Sequence, residues 1–102
     1  MDIELDRKGD SLTIIIDGNI DTEGGHKLAA SLQEAMEMEG IRTVVFDLGT
    51  VRTITSSGIG KIMNFFKFID GKRGSMSVKG ISDPLYKQFM EFHLDRIFPI
   101  AK

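Results

Sequence analysis

The chain has 102 residues, 41% hydrophobic and 27% charged, a composition typical of a single globular domain. Its net charge of −2 argues against a nucleic-acid-binding protein, and the absence of cysteine excludes disulfide bonds, thiolate catalysis and cysteine-ligated zinc. No apolar run approaches the ~20 residues of a membrane-spanning helix and the first residues are charged, which predicts a cytoplasmic protein without a membrane partner.

The first part of the chain predicts a β-hairpin followed by a helix. Residues 3–6 alternate apolar and acidic side chains, and residues 11–18 are rich in β-branched side chains. Together they predict two antiparallel strands at a sheet edge. Apolar residues then recur at helical spacing, with Asp21 or Thr22 as the N-cap and Gly40 as the predicted end of the helix.

The middle of the chain predicts a strand, a helix and another strand. Residues 43–48 are almost uniformly apolar, as in a central strand buried on both faces. A second helix is predicted to end near Asp70 and Gly71, and residues 75–80 form the next strand. The core-facing stripe of this second helix is predicted to comprise Ile59, Ile62, Met63, Phe66 and Ile69.

The last part predicts a third helix and a short edge strand. Asp83 suits the N-cap of this helix and Pro84 its first position. Its predicted inner stripe comprises Leu85, Phe89 and Phe92. Residues 96–100 are predicted to form an edge strand, where Pro99 is tolerated.

This order of elements predicts an α/β fold in one domain. Helices that alternate with strands imply right-handed crossovers and a largely parallel sheet. The initial hairpin adds an antiparallel strand to one edge. We therefore expect a mixed, mostly parallel sheet flanked by helices.

The stretch TITSSGIG, residues 53–60, places three hydroxyl side chains and two glycines at the start of the second predicted helix. A side-chain oxygen that accepts from the first amides of the helix accounts for one of Thr55, Ser56 and Ser57. It does not account for all three. We therefore expect the hydroxyls that do not cap the helix to have a functional role.

The two glycines of this stretch, Gly58 and Gly60, also require an explanation. Glycine inside a helix costs about 1 kcal/mol of stability relative to alanine. This cost is explained if the absence of a side chain lets another backbone or a partner surface approach the helix closely. The spacing matches neither a P-loop nor a nucleophile elbow, and the two histidines, His26 and His93, lie in different predicted helices. We therefore predict a protein that is not an enzyme and has no metal or cofactor.

A phosphate at this helix start supplies a physical switch. The free amides and the dipole of a helix N-terminus favour negative charge, so phosphate on Ser56 or Ser57 is tolerated locally. The phosphate adds a charge of about −1.5 to −2 to a surface that is expected to bind a partner when it is unphosphorylated. Phe68 lies about 180° around the helix from Ile59, which suggests an exposed apolar anchor for a partner or, alternatively, a side chain packed under the carboxy-terminal strand or a loop.

Three segments together resemble the STAS domains, and within them the bacterial anti-sigma factor antagonists. They are DGNID with Gly18 and Asp21, VVFDL with Asp47 and Leu48, and TSSGIG at the start of the second predicted helix. The resemblance covers nearly the whole chain and implies one STAS domain over residues 1–102.

The resemblance implies a regulatory role. An antagonist of this kind binds an anti-sigma factor that is also a serine kinase, and thereby frees a sigma factor. The kinase phosphorylates the first serine of the pair, here Ser56, which breaks the complex until a serine phosphatase restores it. Thr55 stands where the best-known members carry Asp, so Thr55 and Ser57 are the alternative acceptors. Together with Phe68, the predicted partner-binding residues are Asp21, Thr55, Ser56, Ser57, Gly58, Ile59 and Gly60.

Two alternative functions stay open. Some STAS domains are not phosphorylated and serve as scaffolds in signalling complexes. A small nucleotide-binding protein is the alternative from another class, because Gly60 and Lys61 match the end of a P-loop.

Overall fold

The alternating and β-branched segments of the sequence form a four-stranded sheet in the computed structural model, which describes residues 1–102. The strands lie side by side in chain order, with the first pair antiparallel and the other two pairs parallel. They are β1 (Asp2–Lys8), β2 (Ser11–Asp17), β3 (Thr43–Asp47) and β4 (Ser75–Lys79). The predicted α/β class, with a mostly parallel sheet and an antiparallel edge, is confirmed.

Three helices connect and flank these strands. They are α1 (Thr22–Met36), α2 (Ser56–Gly71) and α3 (Asp83–Glu91), followed by a 3₁₀ turn at Leu94–Arg96. The first two helices pack against each other, and α2 ends at the predicted residue. None of the helices is both long enough and apolar enough to cross a membrane.

The prediction that α1 continues to Gly40 is wrong. The helix ends at Met36, where the Met38 amide donates to the Ala35 carbonyl at 3.2 Å. This bond reaches back three residues instead of four, so it tightens the last turn and ends the helix. Gly40 instead lies in the turn before β3, with a φ of +80°.

Two predictions about α3 are also corrected. Ser82, not Asp83, is the N-cap, since its backbone is extended and Asp83 is already helical, which puts Pro84 at the second helical position. Phe92 does not belong to the inner stripe, because the helix ends before it and its side chain is 46% exposed. Leu94 of the following turn is buried instead.

The predicted edge strand over residues 96–100 is reduced to a single bridge. Ile100 pairs with Val78 of β4 in parallel. The Val78 amide donates to the Pro99 carbonyl at 2.9 Å, and the Ala101 amide donates to the Val78 carbonyl at 2.9 Å. Since the 3₁₀ turn occupies the residues just before and Pro99 has no amide hydrogen, the pairing extends no further.

The core-facing stripe of α2 differs from the prediction at its aromatic positions. Phe65 is fully buried and meets the Phe46 ring edge-on, with centroids 5.9 Å apart. Met63 and Phe66 are only partly buried, and Phe66 packs against Phe98 at 5.6 Å. The buried apolar residues of α2 are Ile59, Ile62, Phe65 and Ile69.

Candidate partner-binding and phosphorylation site

A short backbone bridge brings the N-termini of α1 and α2 together. Ile20 and Ile54 pair in parallel just before the two helices start. The Ile20 amide donates to the Thr53 carbonyl at 3.0 Å, and the Thr55 amide donates to the Ile20 carbonyl at 3.0 Å. Both helices therefore begin at the same end of the domain, and their N-cap residues directly follow the bridged pair.

The two N-cap side chains already have intramolecular partners. The Asp21 carboxylate accepts from the Gly24 amide at 2.7 Å. The Thr55 hydroxyl oxygen accepts from the Gly58 amide at 3.1 Å. Of the two caps that the sequence left open for α1, the structure selects Asp21. N-capping thus explains the Thr55 hydroxyl of the TSSG run and the Asp21 carboxylate.

The remaining two hydroxyls have different surroundings. Ser57 is exposed, and its hydroxyl oxygen accepts from the Lys61 ammonium at 2.7 Å, one helical turn further on. Ser56 is the first helical residue and is exposed, and unlike its neighbours it makes no side-chain hydrogen bond. Ser56 therefore presents the only hydroxyl of the three without a partner in the chain.

The glycines of this stretch have opposite roles. A Cβ at Gly58 would lie 2.8 Å from Ile54 Cγ1 and 3.1 Å from Ile20 Cγ2, so internal packing requires a glycine here. A Cβ at Gly60 would meet nothing within 4 Å, and this residue is exposed. Gly58 and Ile59 are buried in the domain, and their contact with a partner stays a prediction.

The exposed residues of α2 form two neighbouring stripes. Ser56 and Gly60 lie one turn apart on the first stripe, which we call the Ser56 face. Phe68 is 39% exposed, so the alternative that it packs under the carboxy-terminal strand or a loop is wrong. At 100° and 1.5 Å per residue, however, it lies about 120° around the helix and about 18 Å along it from Ser56. Phe68 instead shares a stripe with Ser57 and Lys61, and its partner contact stays a prediction.

Two side chains that sequence reasoning missed hold the loop before Ser56. The Asn19 side-chain oxygen accepts from the Arg52 and Thr53 amides at 3.0 and 3.3 Å. The Gln88 side chain of α3 donates to the Ile54 carbonyl at 2.6 Å and accepts from its amide at 3.4 Å. These bonds fix the approach to α2 from two distant parts of the chain.

Alanine at the two glycines is expected to change stability in opposite directions. Gly58→Ala forces the added methyl into Ile54 and Ile20, and overpacking of this kind costs about 1–3 kcal/mol. Gly60→Ala adds a methyl in open space and removes backbone freedom from the unfolded chain, which stabilises by up to about 1 kcal/mol. Urea unfolding of both variants measures the difference, and equal stability would contradict the assignment of Gly58 to internal packing.

Known proteins share this sequence pattern and this fold. The STAS domain model matches residues 2–102. An anti-sigma F factor antagonist of Paenibacillus polymyxa is 25% identical over 100 residues, which are 98% of this chain and 86% of that protein. An anti-sigma-factor antagonist (STAS) domain protein of Planctomyces limnophilus has a TM-score of 0.85 at 19% identity, covering 100% of this chain and 91% of that one. The Bacillus cell fate determinant SpoIIAA in its phosphorylated form has a TM-score of 0.77 at 16% identity, covering 99% and 91%. Since the family model spans nearly all of its residues, the chain belongs to the STAS domain family.

Proposed function

We propose that this chain is an anti-sigma factor antagonist whose binding is switched by phosphorylation of Ser56. The unphosphorylated form binds an anti-sigma factor that is also a serine kinase, and thereby frees a sigma factor. The kinase transfers phosphate from ATP to Ser56 and the complex dissociates, until a serine phosphatase restores binding. The name of the Paenibacillus relative supports the partner, and the phosphorylated form of the Bacillus neighbour supports the modification.

The single observation that carries this proposal is the free hydroxyl of Ser56. A kinase needs a hydroxyl that is exposed and not held by the chain itself, and Ser56 meets both conditions. Thr55 is only partly exposed and its oxygen caps α2, while the Ser57 oxygen is held by Lys61. The phosphate acceptor proposed here is therefore Ser56, with the other two as weaker candidates.

The fold tolerates the added phosphate. The amides of Ser56 and Ser57 lie in the first turn of α2, where no intrahelical acceptor exists, so they are available to a phosphate oxygen. The positive end of the helix dipole also favours the added charge. The modification therefore changes the charge of the Ser56 face while the domain stays folded. What it alters is the affinity for the partner.

Gly60 supplies a test of the docking surface itself. A partner that covers Ser56 also covers Gly60, which lies one turn further along the same face and carries no side chain. Gly60→Leu is expected to weaken binding to the kinase-type anti-sigma factor by about tenfold or more, because the added side chain separates the two surfaces. Isothermal titration calorimetry with the anti-sigma factor of the same organism measures the affinity.

The matched control is Ala30→Leu, which adds an exposed leucine to α1. This variant is expected to bind as the original chain does. If Gly60→Leu binds equally well, the partner does not cover the Ser56 face. If the original chain itself does not bind any kinase-type anti-sigma factor, the scaffold role replaces the proposed one.

A further inference from the structure

A cavity of about 400 Å³ with a cationic lining lies at the opposite end of α2 from Ser56. Its five lining residues are Gly40, Ile41, Arg42, Lys72 and Arg73. We call it the basic cavity. The 16 residues of α2 separate it from Ser56 by about 24 Å, so the two sites do not overlap.

The three cations of the basic cavity have no acidic partner. The two ion pairs of the structure join Lys27 to Asp2 and Lys102 to Asp83, and neither involves the cavity. No acidic residue lines it. In a chain of net charge −2, three unpaired cations around one cavity are a local excess of positive charge.

Backbone hydrogen bonds fix the main chain from which the cationic side chains extend. The Arg42 amide donates to the Asp10 carbonyl at 2.8 Å, and the Arg42 carbonyl accepts from the Ser75 amide at 2.8 Å. Lys72 is the C-cap residue of α2, and its ammonium lies 5.3 Å from the centroid of the Phe68 ring. The three cationic residues thus extend from the segment just before β3 and from the end of α2.

The last carbonyls of α2 do not need these cations as hydrogen-bond donors. Backbone amides already bond the last carbonyls, with Arg73 donating to Asp70 at 2.9 Å and Gly74 donating to Ile69 at 2.8 Å. This is the Schellman arrangement, in which the residue with positive φ is usually glycine. Here it is Arg73, with a φ of +62°, a backbone conformation that is unfavourable for a residue with a Cβ. An arginine at this position therefore points to a use for its guanidinium.

We propose that the basic cavity binds a small phosphate-bearing anion, either free polyphosphate or the phosphate groups of a nucleotide. Two guanidinium groups and an ammonium match the oxygens of a compact, multiply charged phosphate. Nucleic acid needs a basic stripe along a surface, whereas these cations surround one cavity. The site is separate from the Ser56 face and does not depend on the function proposed above.

Titration of the ¹⁵N-labelled full chain with sodium pyrophosphate at constant ionic strength tests this site. Saturable shifts are expected for the backbone amides at positions 40–42 and 72–74. Arg73→Gly is expected to lower the affinity by about tenfold or more, since it removes a charged hydrogen-bond donor. Because glycine suits the positive φ of this position, the melting temperature of that variant is not expected to fall.

Lys67→Gln is the matched control, since it removes an exposed cation of α2 that does not line the cavity. It is expected to leave the affinity unchanged. Parallel titrations with ATP and with sodium tripolyphosphate, in the absence of a kinase, distinguish the sources, because tighter binding of ATP indicates a nucleotide and equal or weaker binding of ATP indicates polyphosphate. Shifts that do not saturate, or that persist unchanged in Arg73→Gly, would overturn the proposal.

Discussion

Ser56→Asp is expected to bind the anti-sigma factor tens to thousands of times more weakly than the original chain, whereas Ser56→Ala is expected to bind almost normally. A charge left buried and unpaired at the centre of an interface costs about 2–5 kcal/mol, which corresponds to this range of affinity. The Ser56 hydroxyl makes no hydrogen bond within the chain, so its removal alone costs little. Calorimetric titration of both variants against the anti-sigma factor measures the two effects.

Ser57→Asp is the matched control for this prediction. It adds the same charge one residue away, where the Lys61 ammonium lies 2.7 Å from the Ser57 oxygen and can pair with it. Its side chain also points about 100° away from that of Ser56 around the helix. We therefore expect a loss of affinity at least about tenfold smaller than that of Ser56→Asp. Equal binding by Ser56→Asp and Ser56→Ala would contradict the switch.

Phe65→Ala is expected to destabilise the domain by about 3–5 kcal/mol, the range typical of large-to-small changes at buried phenylalanines. The Phe65 side chain is fully buried and meets Phe46 of the central strand β3 edge-on. Its removal leaves a cavity between α2 and the sheet. Urea unfolding, followed by far-ultraviolet circular dichroism, measures the loss of stability.

Phe68→Ala is the control on the same helix, three residues further on. Because this ring is 39% exposed, its removal is expected to change stability by less than about 0.5–1 kcal/mol. The same variant is expected to weaken binding if Phe68 anchors the partner, as the sequence suggests. A large loss of stability in Phe68→Ala, or a small one in Phe65→Ala, would contradict the orientation of α2 described here.

The periodicity of the sequence was sufficient for the fold but not for the exact face of α2. The apolar residues Met63, Phe65, Phe66 and Phe68 almost encircle the helix. Hydrophobicity alone therefore does not define which side of α2 faces the core. The sheet decides among them, because Phe46 of β3 accommodates the ring of Phe65 and not that of Phe66. The same limit applies to Phe92, whose exposure depends on where α3 ends.

The candidate site was predictable where its bonds are local. Thr55 caps an amide three residues ahead, and a hydroxyl run before an apolar helix carries that signal in the sequence. The bonds from Asn19 to Thr53 and from Gln88 to Ile54 each span 34 residues, so no local pattern reveals them. The packing of Gly58 against Ile20 and Ile54 is non-local in the same way.

The measurement that tests the central claim most directly is the position of the phosphate. The purified chain is incubated with ATP and the kinase-type anti-sigma factor of the same organism, and the modified residue is identified by peptide mass spectrometry. The free hydroxyl at the start of α2 predicts a single phosphate on Ser56. Phosphate on Thr55 or Ser57 instead, or on no residue with any such kinase, would contradict the assignment of Ser56 as the switch.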